Sequence, residues 1–371
     1  MRALLIGILA TACGGDSPGT PPTDASEAGS ESAPIDATPP ARLVAYISGG
    51  ADIAWYAVDN TTGALTRTGS IAAFQTGASF LAVHGAHLYA VTSGNRVGAY
   101  AIDPASGALT FLNDVASAGT GPTHVSVDAT GTTAFVANYG NGNIGVFPIQ
   151  PTGRLATATQ TITAGANAHQ ILTDPSNKFV LVPCLGVNRV MQYTFAAGTL
   201  TANATPFLAT AAGAGPRHLA FAPDGTHAYL INELDSTLQA LAFDTTTGRL
   251  TSLQTITTRA TGATGTNTTA EVFVHPSGKF VYGSNRGDDN IAIFSIDPTT
   301  RMLALVGHRS TQGMRPRNFG LDPAGKFLYA ANQASNTVVP FAIDPTTGML
   351  APTAASISVP TPQYVGIYAL P

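Results

Sequence analysis

Beyond the first 41 residues only two glutamates occur, Glu233 and Glu271. Three arginines, Arg217, Arg286 and Arg317, and three histidines, His124, His169 and His218, lie along the same stretch. A carboxylate or imidazole beside several guanidinium groups can take a proton and stabilise a developing anion, the chemistry of acid–base hydrolysis or of anion binding. The same residues could equally form a ring of structural ion pairs, because those also gather where charges converge. Spacing alone leaves both readings open.

The elements that must position these residues repeat. From Arg42 onward an apolar strand, a short polar turn and a second alternating strand recur, as in Ala45-Tyr46-Ile47 with Trp55-Tyr56-Ala57-Val58, or Leu328-Tyr329-Ala330 with Val339-Pro340-Phe341. Equivalent positions fall at 46, 89, 135, 181, 229, 282 and 329, with steps of 43, 46, 46, 48, 53 and 47. Short alternating strands at this period, with Gly/Pro turns and no helical periodicity, predict an all-β protein: a seven-bladed β-propeller of four-stranded antiparallel blades. Two turn motifs recur between strands, Asp322-Pro323-Ala324-Gly325-Lys326-Phe327 and Asp344-Pro345-Thr346-Thr347-Gly348 being examples, and all three lysines of the chain lie in the first kind. Leu43 to Ile47 and Tyr364 to Leu370 are both strand-like and are expected to share a sheet where the ring closes.

An up-and-down blade fixes which ends share a face. Both turn motifs fall on one face, whereas the starts of the inner strands and the ends of the second strands fall on the other. The inner-strand starts carry His124, His169, Arg217 with His218, Glu271, and Arg317 with Asn318. The second-strand ends carry Tyr139, Cys184, Glu233, Arg286 and Gln333. One mouth of the channel thus collects the specialised side chains, while His84, His87, His227 and His308 fall in turns or outer strands and read as packing or surface residues.

Composition narrows the function classes. The chain has 371 residues, 44% hydrophobic and 10% charged, with a formal net charge of -4. Three lysines make no basic field for nucleic acid, and no run of 18 apolar residues could span a bilayer. The two cysteines, Cys13 and Cys184, build no disulfide framework, and neither a metal site nor a cofactor is expected. Residues 1–12 read as an export signal, with Arg2 before the apolar stretch Ala3 to Ala12. They resemble a bacterial lipoprotein signal, which implies lipidation of Cys13 and a membrane-anchored protein facing the periplasm or cell surface. Residues 13–41, with six prolines and five acids between Gly14 and Ala41, read as a disordered tether, and 42–371 as the propeller. The Gly15-Asp16-Ser17-Pro18-Gly19 match to the serine-hydrolase pattern lies in that tether, without the strand and helix the motif needs.

Gly215-Pro216-Arg217-His218, Asn232-Glu233-Leu234-Asp235-Ser236-Thr237, His275-Pro276-Ser277-Gly278-Lys279-Phe280, Asn285-Arg286-Gly287, Arg315-Pro316-Arg317-Asn318-Phe319 and Asn332-Gln333 together resemble the seven-bladed lactonase family, which includes propeller-type 6-phosphogluconolactonases and fungal carboxymuconate cyclases. The resemblance runs over essentially all of 42–371. It implies a catalytic set of His169, Arg217, Glu233 and Arg286, with Glu233 or His169 as base and the two arginines stabilising the oxyanion. Arg317 and Gln333 would orient substrate, with His218, Glu271, Asn318 and Tyr139 as further substrate-binding positions. Asn167 and Cys184 depart from the family pattern. The expected function is hydrolysis of a sugar lactone by a monomer. Export favours an unphosphorylated lactone, since 6-phosphogluconolactone is a cytoplasmic anion. A noncatalytic envelope propeller that binds a glycan or protein, and a muconate-type cycloisomerase, are the competing readings.

Overall fold

In the computed structural model the described residues are 42–75 and 77–370. The export signal, the tether and Cys13 lie outside them. The strands form seven antiparallel sheets, and each blade packs against the next, mostly inner strand on inner strand, to close a ring around a central channel. Blade 1 takes its inner strand, Pro362–Ala369, from the C-terminus and its second strand, Leu43–Gly49, from the N-terminus; Tyr46 pairs with Gly366. The expected sharing of terminal strands is therefore what closes the ring. Blades 2 to 7 follow in chain order, and only blade 7 departs from four strands, its outer edge being split into Leu350–Pro352 and Ile357–Ser358.

The core is divided by blade interface. Seven separate apolar clusters form, each drawn from two adjacent blades, such as Phe280, Tyr282, Phe319 and Leu328 between blades 6 and 7. Alternation in the second and third strands feeds opposite faces of each sheet into neighbouring clusters, so those strands are buried on both sides. The repeated tyrosine of the second strand has a second task. Its hydroxyl donates to the turn carbonyl of the next blade: Tyr46 to Gly107 at 2.7 Å, Tyr89 to Gly153 at 3.1 Å, Tyr229 to Arg301 at 3.0 Å and Tyr282 to Gly348 at 2.9 Å. The turn itself is closed by the aspartate of the motif, whose carboxylate accepts backbone N–H bonds, as Asp344 does from Thr346 and Thr347. Gly107 and Gly348 sit at φ +74° and +72°, the left-handed conformation that ends this turn.

Candidate active site

The inner strands share one irregularity at one height. Register pairing skips Gln363 in blade 1, Ser79 in blade 2, Thr123 in blade 3, Arg217 in blade 5 and Arg317 in blade 7. In blade 6 Ala270 and Glu271 together face the single residue Ser284, and in blade 4 one extra residue separates the Ala168–Cys184 bridge from the Leu172–Leu181 pair. A bulge adds a residue to one strand and re-aims its side chains. Consecutive residues therefore turn into the channel where a regular pleat would send one of every two away: Ser79 with Phe80, Arg217 with His218, and Arg317 with Asn318. With Thr123, His169, Glu271 and Gln363 they line one small cavity with about 10 Å³ of room for the centre of a water, space for a single molecule.

Beside the cavity, Glu233 at the end of a blade 5 strand is held by two cations. Arg217 Nε lies 3.0 Å from one carboxylate oxygen and Arg286 Nη2 2.8 Å from the other. The first contact is close enough for an ion pair but is not aligned as a hydrogen bond. Both guanidinium groups are also anchored to blade 6, Arg217 donating to Ala270 O at 2.5 Å and Arg286 to Thr269 O at 2.8 Å. Burial works to raise the Glu233 pKa, but Arg217 and Arg286 outweigh it and hold the carboxyl below its ordinary value. Burial and the nearby Arg286 push Arg217 down to about 9. Arg317 differs from both: its guanidinium makes no hydrogen bond or ion pair with the described residues, although it lines the cavity.

A chain of hydrogen bonds runs through the same lining from blade 4 to blade 7. His169 Nδ1 lies 3.1 Å from His218 Nε2, His218 Nδ1 lies 2.7 Å from Glu271 Oε1, and Asn318 Nδ2 donates to Glu271 Oε2 at 2.6 Å. Burial keeps His169 and His124 well below the usual histidine pKa, with Arg217 adding to it at His169 and His218 at His124. His218 is also lowered, by burial that outweighs the neighbouring Glu271. Burial works to raise the Glu271 pKa as well, but His218 holds it below its ordinary value. The rings of His169 and His218 meet edge to face at 4.9 Å, and Phe80 packs on His124 at 4.2 Å.

The residues expected from sequence are brought together in part. His169, Arg217, His218, Glu271, Arg317 and Asn318 line the cavity, and Glu233 and Arg286 join it through Arg217. His218 and Glu271, expected to meet substrate, are only 2% and 4% exposed and bond to each other. Tyr139 stands edge-on to His169 with ring centroids 5.6 Å apart, and Gln333 lies outside the lining. Cys184 is buried, and burial pushes its thiol up to about 12. Ser79, Phe80, Thr123 and Gln363 were not among the expected residues. Thr123 lies at the same offset from the repeated strand as His169, and counting it into blade 3 would have found it; the shorter first turn of blade 2 and the C-terminal origin of the blade 1 inner strand shift the other three.

The family model "Lactonase, 7-bladed beta-propeller" matches residues 43–367. The chain belongs to the seven-bladed β-propeller lactonase family. Among curated proteins it resembles the 6-phosphogluconolactonase of Pectobacterium carotovorum subsp. carotovorum (strain PC1), with 35% identity over 199 residues, 53% of this chain and 60% of that protein. The match thus spans about 60% of the length of such curated relatives. Among solved structures it resembles the periplasmic gluconolactonase of Pseudomonas aeruginosa, with a TM-score of 0.81, 30% identity, and coverage of 89% of this chain and 100% of that one. A putative 6-phosphogluconolactonase from Bacteroides uniformis gives a TM-score of 0.82, 30% identity and coverage of 89% and 100%. For the lactonase fold these likenesses agree with the blade count, the closure and the absence of helices beyond a single 3-10 turn among the described residues.

Proposed function

We propose that this propeller hydrolyses the ester of an unphosphorylated sugar lactone at the channel mouth that holds Glu233. The observation that carries the reading is the pairing of two unsatisfied groups on one cavity: the guanidinium of Arg317, without a hydrogen-bonded partner, and the Nε2 of His169, which makes no hydrogen bond with the described residues. A lactone needs water activated at its carbonyl carbon and cationic donors at the carbonyl oxygen. His169, kept neutral by its burial, takes the proton of water at Nε2 as the water oxygen bonds to the carbonyl carbon. Arg317 donates to the oxygen that becomes negative. When the ring C–O bond breaks, the proton passes from His169 to the departing ring oxygen, and the product is the open hydroxy acid. Glu233, both of whose oxygens are held by arginines, fixes Arg217 and Arg286 as a cationic wall beside the reacting carbonyl.

Two observations favour an unphosphorylated substrate. A groove of about 430 Å³ shares Ser79 and Gln363 with the cavity, and its lining, including Gly50, Ala51, Gln75 and Ala78, has no charged residue to meet a phosphate. The Pseudomonas aeruginosa protein it resembles is a periplasmic gluconolactonase, which fits export of this chain. Hydrolysis of glucono-1,5-lactone and its 6-phosphate, measured side by side with the Glu233→Gln variant, tests this. The expected outcome is faster turnover of the unphosphorylated lactone and a loss of about 100-fold or more in the variant. Background rates for both lactones would leave a binding propeller.

A further inference from the structure

We propose that Asn318, Glu271 and His218 form a proton-ordered chain that holds His169 in its Nδ1–H tautomer and so leaves the lone pair of Nε2 free for water. They are positioning residues, three side chains from three blades acting through a fourth, and the inference rests on His169 being the base. The order follows from a single backbone group. Val365 N–H, in the inner strand of blade 1, donates to Asn318 Oδ1 at 2.9 Å, so the amide nitrogen of Asn318 must face Glu271. Glu271 Oε2 accepts from that nitrogen, while Oε1 accepts from Val272 N–H at 3.1 Å. A carboxyl surrounded by donors on both oxygens is ionised and can only accept from His218 at 2.7 Å. His218 therefore carries its proton on Nδ1.

The second half of the chain follows from the charge of His218. Its ring is 2% exposed, packs against His169, His124 and Phe80, and sits beside Arg217; burial holds it below the ordinary histidine pKa in spite of Glu271. A neutral His218 with its proton on Nδ1 has a lone pair on Nε2, which can only accept. The group 3.1 Å away, His169 Nδ1, must then be the donor. One proton remains on His169 and it is on Nδ1, so Nε2 is the basic atom. When His169 takes a proton from water, its Nδ1–H bond to His218 strengthens, and the buried Glu271 carboxylate stabilises the new charge across His218. An imidazole oriented through its other nitrogen by a second acceptor is a recurring arrangement for general bases. Here the acceptor is a second histidine, which moves the carboxylate one ring further from the reacting atoms.

The tautomer is measured directly from imidazole nitrogen chemical shifts in the uniformly labelled wild-type protein at neutral pH, without substrate. The expected pattern is His169 protonated on Nδ1 alone and His218 protonated on Nδ1 alone. His169 protonated on Nε2, as an imidazolium at His218 would require, overturns the proposal. In Glu271→Gln one of the two acceptor oxygens becomes an amide donor, so that either His218 or Asn318 faces a donor, and His169 is expected to show a mixture of tautomers; a pattern identical to wild type also overturns it. Should the variant not fold, the wild-type measurement still decides. Activity separates this inference from the functional reading. With a lactone as substrate, kcat of the folded variant is expected to fall about 100-fold with KM little changed, whereas a wild-type protein that shows the ordered tautomers but hydrolyses no lactone retains the chain and loses the base assignment.

Discussion

Three buried histidines, one buried carboxylate and one half-buried carboxylate make acid the condition that tests this channel. His124, His169 and His218 stay neutral in the folded protein because burial depresses their pKa values, whereas in the unfolded chain they titrate near about 6.5. The unfolded state then binds protons first, so this stability is fully present above about pH 6.5 and is lost as pH falls below it. Glu233 and Glu271, also depressed, contribute stability present above about pH 4.3 and lost further into acid. Thermal unfolding followed as a function of pH is expected to show a first decline below about pH 6.5. His124→Leu removes one proton uptake and is expected to make that decline shallower by about 1.4 kcal/mol per pH unit. An unchanged slope would mean that His124 is charged in the folded state. At this scale the sequence was informative about residue type: scarcity singled out Glu233 and Glu271, and Glu271 lines the cavity while Glu233 meets it through Arg217. It was silent on partners. Glu233 binds two arginines and Glu271 binds a histidine and an asparagine because the ring sets different neighbours beside each.

The element that repeats most faithfully is the second strand, which carries a tyrosine in five of the seven blades, and in four of them the hydroxyl latches the turn of the next blade. Tyr282 is fully buried and donates to Gly348 O in the next blade, whereas Tyr329, equally buried, has no hydrogen-bond partner for its hydroxyl among the described residues. Tyr282→Phe is therefore expected to cost about 1–3 kcal/mol, since it leaves a turn carbonyl without its donor, and to lower the Tm by a few degrees. Tyr329→Phe removes an unsatisfied buried group and is expected to be neutral or slightly stabilising. Equal losses in the two variants, measured by calorimetry, would refute the latch. Blade count, strand order and turn chemistry were legible because each depends on local period and on residues such as Asp344 and Gly348 that specify one turn. The bulges were not legible. No residue type marks a bulge among Ser79, Thr123, Arg217 and Gln363, and the bulge decides that two neighbours, not one, face the channel.

For the whole molecule the weak point is the seam. The inner strand of blade 1, Pro362–Ala369, also supplies Gln363 to the cavity and Val365 N–H to Asn318, so the end of the chain completes both the ring and the hydrogen-bond chain. A chain ending before Pro362 leaves Leu43–Gly49 with an unpaired edge and two core clusters open. Such a truncation is expected to lose the cooperative thermal transition, and a retained transition at the wild-type Tm would show that six blades and a remnant suffice. The sequence by itself determined the number of blades, their closure by the two ends and the family, because these follow from a period and from local turns that act within one repeat. It also determined the height at which His169, Arg217 and Arg317 stand, since each lies at a constant offset from the repeated strand. Only the tertiary structure decided who touches whom around the channel: that Arg317 remains without a partner, that His169 leans on His218, and that a backbone N–H of the last strand orders the protons of four side chains. Those contacts run between residues 47 to 53 apart in sequence, where no local pattern reaches and only the curvature of the closed ring sets the distance.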